Sequence, residues 1–392
     1  MKRKIDLGLV ILISSFLIGI FSKMPVTAIL RNFFLATIDL STLKLVGAIL
    51  LIFILGSLLN EGGNLRNVNL SLEAFIKDRR ITLIIPSMLM GLLPVAAGAM
   101  LSAPLIEESG NKMNLSRENK TFLNYWFRHI WEYTWPLYPG LILAAGILKI
   151  PLQKIISAQV PLTITAIFSG VVFGINKIPY YSSYKKEERR GKTIKKFLQL
   201  LFYSWPILAI ILLVFVFKLD LLLSLLIIIS FIFITTKIKK RKILFILKKS
   251  LSGRILLLII SVMIFKKILE TSGILLLIPQ ILNKVGIPPL IILFSIPFFI
   301  GLLTGVTQAF VGIAFPILLP FFGITTPNTS YVMLAYAGGF TGVLLSPAHL
   351  CLIVTKSYFK SSLIKVYKLL FLPISLVVSV AFLLVFISNF IW

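Results

Sequence analysis

Two apolar stretches of the chain combine helix-breaking residues with small polar side chains, a combination that can bind ions and small anions inside a membrane. The first is Pro86–Pro104 (PSMLMGLLPVAAGAMLSAP), and the second is Pro297–Pro316 (PFFIGLLTGVTQAFVGIAFP), 211 residues further along. Backbone groups freed at membrane depth persist only where protein covers them or where they line a wet cavity. The freed carbonyls and helix ends can then act as ligands. Two matched interrupted segments therefore indicate the binding site of a transporter.

A third stretch, YAGGFTGVLLSPAHL, adds a second kind of break. Its Gly338-Gly339, Thr341-Gly342 and Ser346-Pro347 predict a helix that unwinds near mid-membrane, with His349 one turn further. From the three stretches we select these candidate substrate- and ion-binding residues: Gly91, Pro94, Gly98, Ser102, Thr304, Thr307, Gln308, Gly339, Thr341, Ser346 and His349. No catalytic residue, metal site or cofactor is expected.

The ionisable residues near these breaks allow two interpretations. A histidine inside the membrane, such as His349, is functional by default, but a neutral imidazole bonded to a backbone carbonyl has a purely structural role. In the first half of the chain, the segment TFLNYWFRHIWE predicts an interfacial helix on which His129 and Glu132 can pair or relay a proton. The glycines likewise fit either a binding site or close packing between helices.

Composition places the chain in a membrane. Of its 392 residues 58% are hydrophobic, the mean hydropathy is +1.00, and several apolar runs reach the length of about 18 residues that crosses a bilayer. The net charge of +27 lies mostly in short loops between these runs, which fits the positive-inside rule and argues against nucleic acid as a partner. The single cysteine, Cys351, excludes a disulfide within the chain.

The apolar runs predict an all-α polytopic fold of about nine full spans plus two hairpins. The spans are expected at about 7–22, 42–59, 135–149, 153–176, 197–217, 219–236, 252–269, 331–355 and 362–388. Placing the basic loops around Lys185–Lys196 and Lys237–Lys249 in the cytoplasm puts the N-terminus inside and the C-terminus outside. The first run has no cleavage site after it, so it is expected to remain as an uncleaved span.

Charge placement and repeat spacing both predict two inverted repeats. Residues 1–176 form the first repeat, with a re-entrant hairpin at 82–106, and residues 177–218 hold a basic loop and a connector span. Residues 219–392 form the second repeat, with a re-entrant hairpin at 288–320. Each repeat contributes one hairpin and one broken helix, and the hairpins enter from opposite faces of the membrane.

At GLLPVAAGAMLSAP, GLLTGVTQAFVGIAFP and YAGGFTGVLLSPAHL the chain resembles an uncharacterised prokaryotic integral-membrane family, domain of unknown function 401, which is grouped with the ion transporter superfamily. The resemblance covers about 5–390. It implies an elevator-type secondary carrier that forms a homodimer in the cytoplasmic membrane of a prokaryote. Carboxylate carriers of that superfamily bind sodium and substrate with Ser-Asn-Thr triplets at the hairpin tips. Here Pro94–Gly98 and Thr304–Gln308 stand at those places, so the resemblance leaves the cargo and the choice of Na+ or H+ as coupling ion open.

The sequence therefore predicts a secondary active transporter that moves a small solute, with an organic anion as the candidate, by ion-coupled alternating access. Its partners are the lipid bilayer and a small-molecule or ion substrate. A membrane-embedded enzyme acting on lipid-linked groups is the alternative, although the chain has no HExxH, GxSxG or Asp-rich motif. A passive channel has no need of paired hairpins, so the hairpins favour alternating access. The chain has no GxxxxGK[ST] loop, which argues against an ATP-driven pump.

Overall fold

A computed structural model of the chain describes residues 6–62, 67–68, 71, 78–92, 98–178, 193–235, 240–250, 252–323 and 326–391. Within these ranges the regular structure is helical throughout, and there is no strand. The prediction of an all-α chain is therefore confirmed for this part of the protein. Pro94 and parts of both predicted basic loops lie outside the described residues.

The helices of the described ranges follow one another along the chain, with short turns of other helical types between some of them. In order they are α1 (Leu7–Phe21), α2 (Val26–Ile38), α3 (Leu40–Glu61), α4 (Arg79–Gly91), α5 (Ala99–Lys112), α6 (Arg117–His129), a 3-10 turn (Ile130–Tyr133), α7 (Pro139–Leu148), α8 (Leu152–Phe173), a second 3-10 turn (Ile175–Lys177), α9 (Thr193–Ile211), a π turn (Leu212–Val216), α10 (Leu221–Thr235), α11 (Lys240–Ser250), α12 (Gly253–Thr271), α13 (Ile274–Val285), α14 (Pro289–Thr304), α15 (Thr307–Phe322), α16 (Thr329–Leu345), α17 (Leu350–Phe359) and α18 (Leu363–Ile391).

Long apolar helices give the described part of the chain the character of a membrane protein. Five segments are long and apolar enough to cross a bilayer: Leu40–Leu59, Leu152–Lys177, Lys196–Val216, Thr329–Phe359 and Leu363–Phe390. Shorter apolar helices of 10–17 residues, among them α1, α10, α14 and α15, accompany them. Large hydrophobic side chains point outward; Ile234 is 82% exposed and Phe202 68%. Such a surface suits lipid, which solvates apolar groups, better than water.

The first predicted hairpin, at 82–106, corresponds to α4 and α5. These two helices pack against each other and against α6. Pro86 lies inside α4 and Pro104 inside α5, so neither proline ends its helix. Helix α4 ends at Gly91 and α5 begins at Ala99, and residues 93–97 between them lie outside the described residues.

The second predicted hairpin, at 288–320, corresponds to α14 and α15, which only Gly305 and Val306 join. Gly305 has a φ of +64°, in the left-handed region that costs an L side chain about 1–2 kcal/mol. A Cβ at this position would also lie 2.7 Å from the backbone N of His349. Glycine therefore lets the hairpin tip rest directly on the residue that precedes α17.

The broken helix predicted at 331–355 is α16 followed by α17, and its break is confined to Ser346–His349. The glycines within Gly338–Gly342, which are predicted to unwind, remain helical. They let α16 approach α14 closely, since a Cβ on Gly342 would lie 2.0 Å from the carbonyl oxygen of Phe298. Close helix packing is thus the correct interpretation of these glycines.

The helix α6 is enclosed by protein from its second turn onward. Every residue from Lys120 to His129 is buried, and α4, α5, α8, α17 and α18 pack around the helix. The prediction of an interfacial helix is therefore wrong, because such a helix leaves one polar face in contact with water. Its aromatic residues fill space between the surrounding helices, as in the stacked rings of Phe122 and Trp126, 6.1 Å apart.

Helix boundaries recur along the chain at an offset close to 211 residues. Pro139 and Leu350 begin α7 and α17, two helices of 10 residues that each end on a left-handed lysine, Lys149 and Lys360. The helices α8 and α18 then begin 211 residues apart. The span predicted at 135–149 is only the short helix α7, which is less than the roughly 20 residues that cross a bilayer.

Candidate functional site

Two histidines from distant parts of the chain meet in the protein interior. His129 ends α6 and His349 precedes α17, and their Nε2 atoms lie 3.1 Å apart. The two Nδ1 atoms face backbone carbonyls, Tyr125 O at 2.5 Å and Gly305 O at 2.7 Å. A carbonyl oxygen only accepts hydrogen bonds, so each Nδ1 carries a hydrogen and donates it. In neutral rings both Nε2 atoms then present lone pairs to each other.

A buried carboxylate links the histidines to the second hairpin. Glu132 lies in the 3-10 turn after α6 and is 6% exposed. Its Oε2 accepts a 3.0 Å hydrogen bond from Thr307 Oγ1, and its Oε1 is 3.9 Å from His129 Nε2. Thr307 is the first residue of α15, whose N-terminal end favours a negative charge.

A buried cation lies beside the histidine pair. Arg128 is 4% exposed, and its Nη1 is 3.4 Å from His129 Nε2. Glu132 is an oppositely charged side chain of the same cluster. An isolated charge is costly in a protein interior, so charges that are retained there usually pair with one another or serve a function.

Cys351 joins the two histidines in a group of three potential metal ligands. The ligating atoms of His129, His349 and Cys351 all lie within 4.8 Å of one another. Cys351 is 7% exposed and occupies the first turn of α17, two residues after His349. In the part of the chain that the structure describes, this is the one such group of three.

A second polar cluster centres on Asn124 of α6. Its Oδ1 accepts hydrogen bonds from Ser87 Oγ at 2.7 Å and from Ser102 Oγ at 2.6 Å. Its Nδ2 donates to Ala99 O at 2.8 Å and contacts Thr355 Oγ1 at 3.4 Å. One amide therefore connects both helices of the first hairpin with α17.

Two tyrosines make reciprocal hydrogen bonds between the halves of the chain. Tyr125 OH donates to Leu344 O at 2.9 Å, and Tyr336 OH donates to Glu132 O at 3.1 Å. The tyrosines are 211 residues apart and their acceptors 212. Each half supplies one donor and one acceptor, as the two sides of a two-fold symmetric interface do.

Among the candidate residues of the first hairpin, Gly91 and Ser102 have the clearest contacts. Gly91 O accepts a hydrogen bond from Tyr138 OH, and Ser102 belongs to the Asn124 cluster. Gly98 is buried and precedes α5. Pro94 lies outside the described residues.

The remaining candidates divide between the central cluster and helix packing. Thr307 and His349 contribute side chains to the cluster, as described above. The Thr304 hydroxyl donates to a carbonyl of its own helix at 2.7 Å. A Cβ on Gly339 would lie 2.2 Å from the Phe310 ring. The contacts of both residues are therefore those of helix packing. The other three lie close to the two breaks or inside α16: Gln308, partly buried at the start of α15; Thr341, buried in α16; and Ser346, buried at the end of α16.

Sequence reasoning did not select Arg128, Tyr336 or Cys351 as site residues. Arg128 is recognisable as an arginine within an aromatic segment, and Tyr336 is recognisable by its offset of 211 residues from Tyr125. Cys351 carried no local signal, because its partners come from the fold. His129 and Glu132 were recognised as a pair, but their meeting with His349 required the structure.

A separate cavity of about 410 Å³ lies between α2, α3, α12 and the end of α7. Its lining includes Asp39 and Glu270 together with Lys149, Lys266 and Lys267. None of the residues of the central cluster lines it. Because it presents charges of both signs, it does not indicate one kind of ligand, and the central cluster remains the candidate site.

Comparison with known proteins identifies the family of the chain. Residues 1–388 match the family model described as protein of unknown function (DUF401), and the chain belongs to this family. The resemblance to domain of unknown function 401 is therefore confirmed, while the grouping with the ion transporter superfamily stays a prediction. No curated protein matches the chain.

Proposed function

Starting from this family membership and the central cluster, we propose that the protein is a secondary active transporter of a small solute. It works by ion-coupled alternating access, with the architecture of the ion transporter superfamily. The observation that carries the proposal is the position of the second hairpin tip. Gly305 O receives the hydrogen bond of His349, and Thr307 donates to Glu132, so a turn in an apolar hairpin meets buried ionisable groups. Interrupted helices that meet such groups are typical of transporter sites.

The two halves of the proposed transporter are inverted repeats of nine spans and two hairpins in total. The recurrence of helix boundaries and the reciprocal bonds of Tyr125 and Tyr336 support this arrangement. A further pair is related in the same way: Tyr138 precedes α7 and bonds Gly91 O, while His349 precedes α17 and bonds Gly305 O. A pseudo-two-fold axis between the halves accounts for both pairs.

The proposed cargo is a small organic anion. Arg128 supplies a buried guanidinium, whose N–H groups match the geometry of a carboxylate. The N-terminal end of α15 adds a second region of positive potential at the same place. Transport of such an anion is coupled to Na+ or H+, and the coupled ion offsets the charge of the cargo.

The proposal is tested first by ligand-dependent stability and then by transport. The purified protein is heated with a panel of carboxylates, sugar acids and amino acids, with and without Na+ and at several pH values. A solute that binds only the folded state raises the melting temperature, and its uptake into proteoliposomes is then measured under an imposed Na+ or proton gradient. Arg128→Lys, which keeps the charge but loses the planar fork, is expected to weaken anion binding. If no solute stabilises the folded protein and none is exchanged by proteoliposomes, the small-anion carrier is refuted.

The inverted topology has its own test. The native thiol is removed by Cys351→Ser. In that background one variant carries a single cysteine at Arg117, which is exposed at the start of α6, and a second variant carries one at Thr326, which is exposed after α15. The proposed topology places Arg117 inside the cell and Thr326 outside. A membrane-impermeant maleimide added to intact cells should label only the second variant. Labelling of both from the same side contradicts the inversion.

A further inference from the structure

The facing nitrogens of His129 and His349 can bind a positive centre between them. Both Nδ1 atoms donate to carbonyls, so two neutral rings place two lone pairs 3.1 Å apart. Two acceptors at that distance repel each other. Arg128 Nη1, 3.4 Å from His129 Nε2, donates to one of these lone pairs, and a proton or a metal ion between the two Nε2 atoms turns the remaining repulsion into attraction.

The spacing of the three ligands fits a metal ion. Zinc binds imidazole nitrogen at about 2.0–2.1 Å, and two such nitrogens in tetrahedral geometry are about 3.3 Å apart. The observed Nε2–Nε2 distance of 3.1 Å agrees with this value. The Cys351 sulfur lies within 4.8 Å of one ring nitrogen of each histidine, and the roughly 3.6 Å expected of a bound thiolate requires it to move by about 1 Å. We propose that His129, His349 and Cys351 bind one transition-metal ion of the zinc class between the two halves of the chain.

The donor set selects the class of metal. Thiolate and imidazole together favour borderline and soft ions such as Zn2+ over Mg2+ or Ca2+, which take oxygen ligands. Three protein ligands leave a fourth position open, as in sites where the ion binds a further ligand or exchanges. Glu132, whose Oε1 is 3.9 Å from His129 Nε2, is placed beside that fourth position.

The charges around the ligands are compatible with a bound dication. Arg128 Nη1 lies 3.4 Å from His129 Nε2 and donates to it; a bound ion replaces this contact, because both use the same lone pair, and the positive guanidinium on its own opposes a second cation. The thiolate of Cys351 and the carboxylate of Glu132 together offset the two charges of the ion. Arg128 then faces a neutral assembly.

The surroundings orient the ligands. Each imidazole donates its Nδ1–H to a backbone carbonyl, the kind of outer contact that fixes the ring and its tautomer in metal sites. His349 is only partly buried, and its neighbours Pro347 and Ala348 are exposed.

The site is tested by measuring metal binding to the tag-free full chain in detergent. This measurement needs no transport activity, so its result does not depend on whether the protein is a carrier. After treatment with a chelator, Co2+ is titrated in and followed by absorption. We expect saturation at one Co2+ per chain, with the charge-transfer absorption of a cobalt–thiolate bond, and displacement by Zn2+. Cys351→Ser should abolish that absorption, and His349→Gln should weaken binding by roughly 10-fold or more. Tyr138→Phe is the matched control, since Tyr138 occupies the position equivalent to His349 in the first half, and it should bind Co2+ normally.

A second measurement avoids dependence on the folding of the variants. Cys351 is the only cysteine of the chain, so alkylation of the unmodified protein reports on this site alone. Zn2+ should slow that alkylation by at least roughly 10-fold if the thiolate is a ligand. The inference is overturned if Co2+ gives no thiolate absorption, if Cys351→Ser and His349→Gln bind it as the unmodified chain does, or if Zn2+ leaves alkylation unchanged. In those cases a shared proton occupies the histidine pair.

Discussion

Replacing Gly305 by alanine tests whether the tip of the second hairpin is held against the start of α17. Gly305 has a φ of +64°, and a Cβ there would lie 2.7 Å from His349 N and 2.9 Å from Ser346 Oγ. Gly286 is a matched control, because its φ is +72° while a Cβ there would meet nothing within 4 Å. Alanine at either position suffers the same left-handed backbone strain. Only Gly305→Ala must also displace a neighbouring backbone.

The magnitudes of the two effects separate the variants. The strain alone costs about 1–2 kcal/mol, and this is the whole expected effect of Gly286→Ala. Forcing a methyl group into a packed contact costs typically about 1–3 kcal/mol more. Gly305→Ala is therefore expected to lose roughly 2–5 kcal/mol, and the difference between the variants measures the contact with His349.

The free energy of unfolding of both variants is measured by chemical denaturation in the same detergent. The displaced backbone carries His349, so Gly305→Ala should also impair Co2+ binding, while Gly286→Ala should leave it unchanged. Equal losses of stability in the two variants, with equal metal binding, would refute a hairpin tip packed on His349.

Three further predictions concern the contacts around the centre. Tyr125→Phe and Tyr336→Phe each leave a buried carbonyl without its donor and should each cost about 1–3 kcal/mol by chemical denaturation; very unequal losses contradict their equivalence. Asn124→Leu removes the acceptor of the buried Ser87 hydroxyl and leaves Ser102 with only its 3.3 Å contact to Ala99 O. It should cost more than either tyrosine change, again by denaturation; a smaller loss contradicts the proposed bridging role. The Ser362 backbone N–H, 3.1 Å from Glu118, lowers the pKa of that carboxyl from its usual 4.5. This stabilisation is present above pH 4.5 and is lost as the pH falls through the lowered pKa, so Glu118→Gln should flatten the acid side of the stability profile; an unchanged profile contradicts it.

The positions of most helices followed from the sequence because hydrophobic length alone sets them. The span predicted at 362–388 is the helix Leu363–Ile391, and the span predicted at 153–176 is Leu152–Phe173. The breaks were harder to place. Glycine permits both the unwinding of a helix and close packing against a neighbouring helix. Gly342 stays helical with Phe298 O against it, whereas Gly305 has a left-handed φ and ends α14.

The candidate site was only half accessible to sequence reasoning. Thr307 and His349 belong to visibly interrupted segments, so local composition pointed to them. Their partners His129 and Glu132 lie in a segment rich in aromatic and charged residues, which resembles an interfacial helix when read alone. The burial of that segment depends on five surrounding helices, and no property of its own residues reveals them. The three potential metal ligands come from the end of α6 and the start of α17. They are far apart in the sequence, so no short motif identifies them as a group.

The bound ion that we infer and the alternating access that we propose are physically connected. The second hairpin is tied to the 3-10 turn after α6 by the hydrogen bond between Thr307 and Glu132, and to the start of α17 by that between Gly305 and His349. Without an ion, the facing lone pairs of His129 and His349 oppose this arrangement; with an ion, they stabilise it. A ligand shifts a conformational equilibrium only by its difference in affinity between the states. An ion that needs both histidines at about 3 Å binds only the state in which the halves are together, so its occupancy favours that state over any in which they separate.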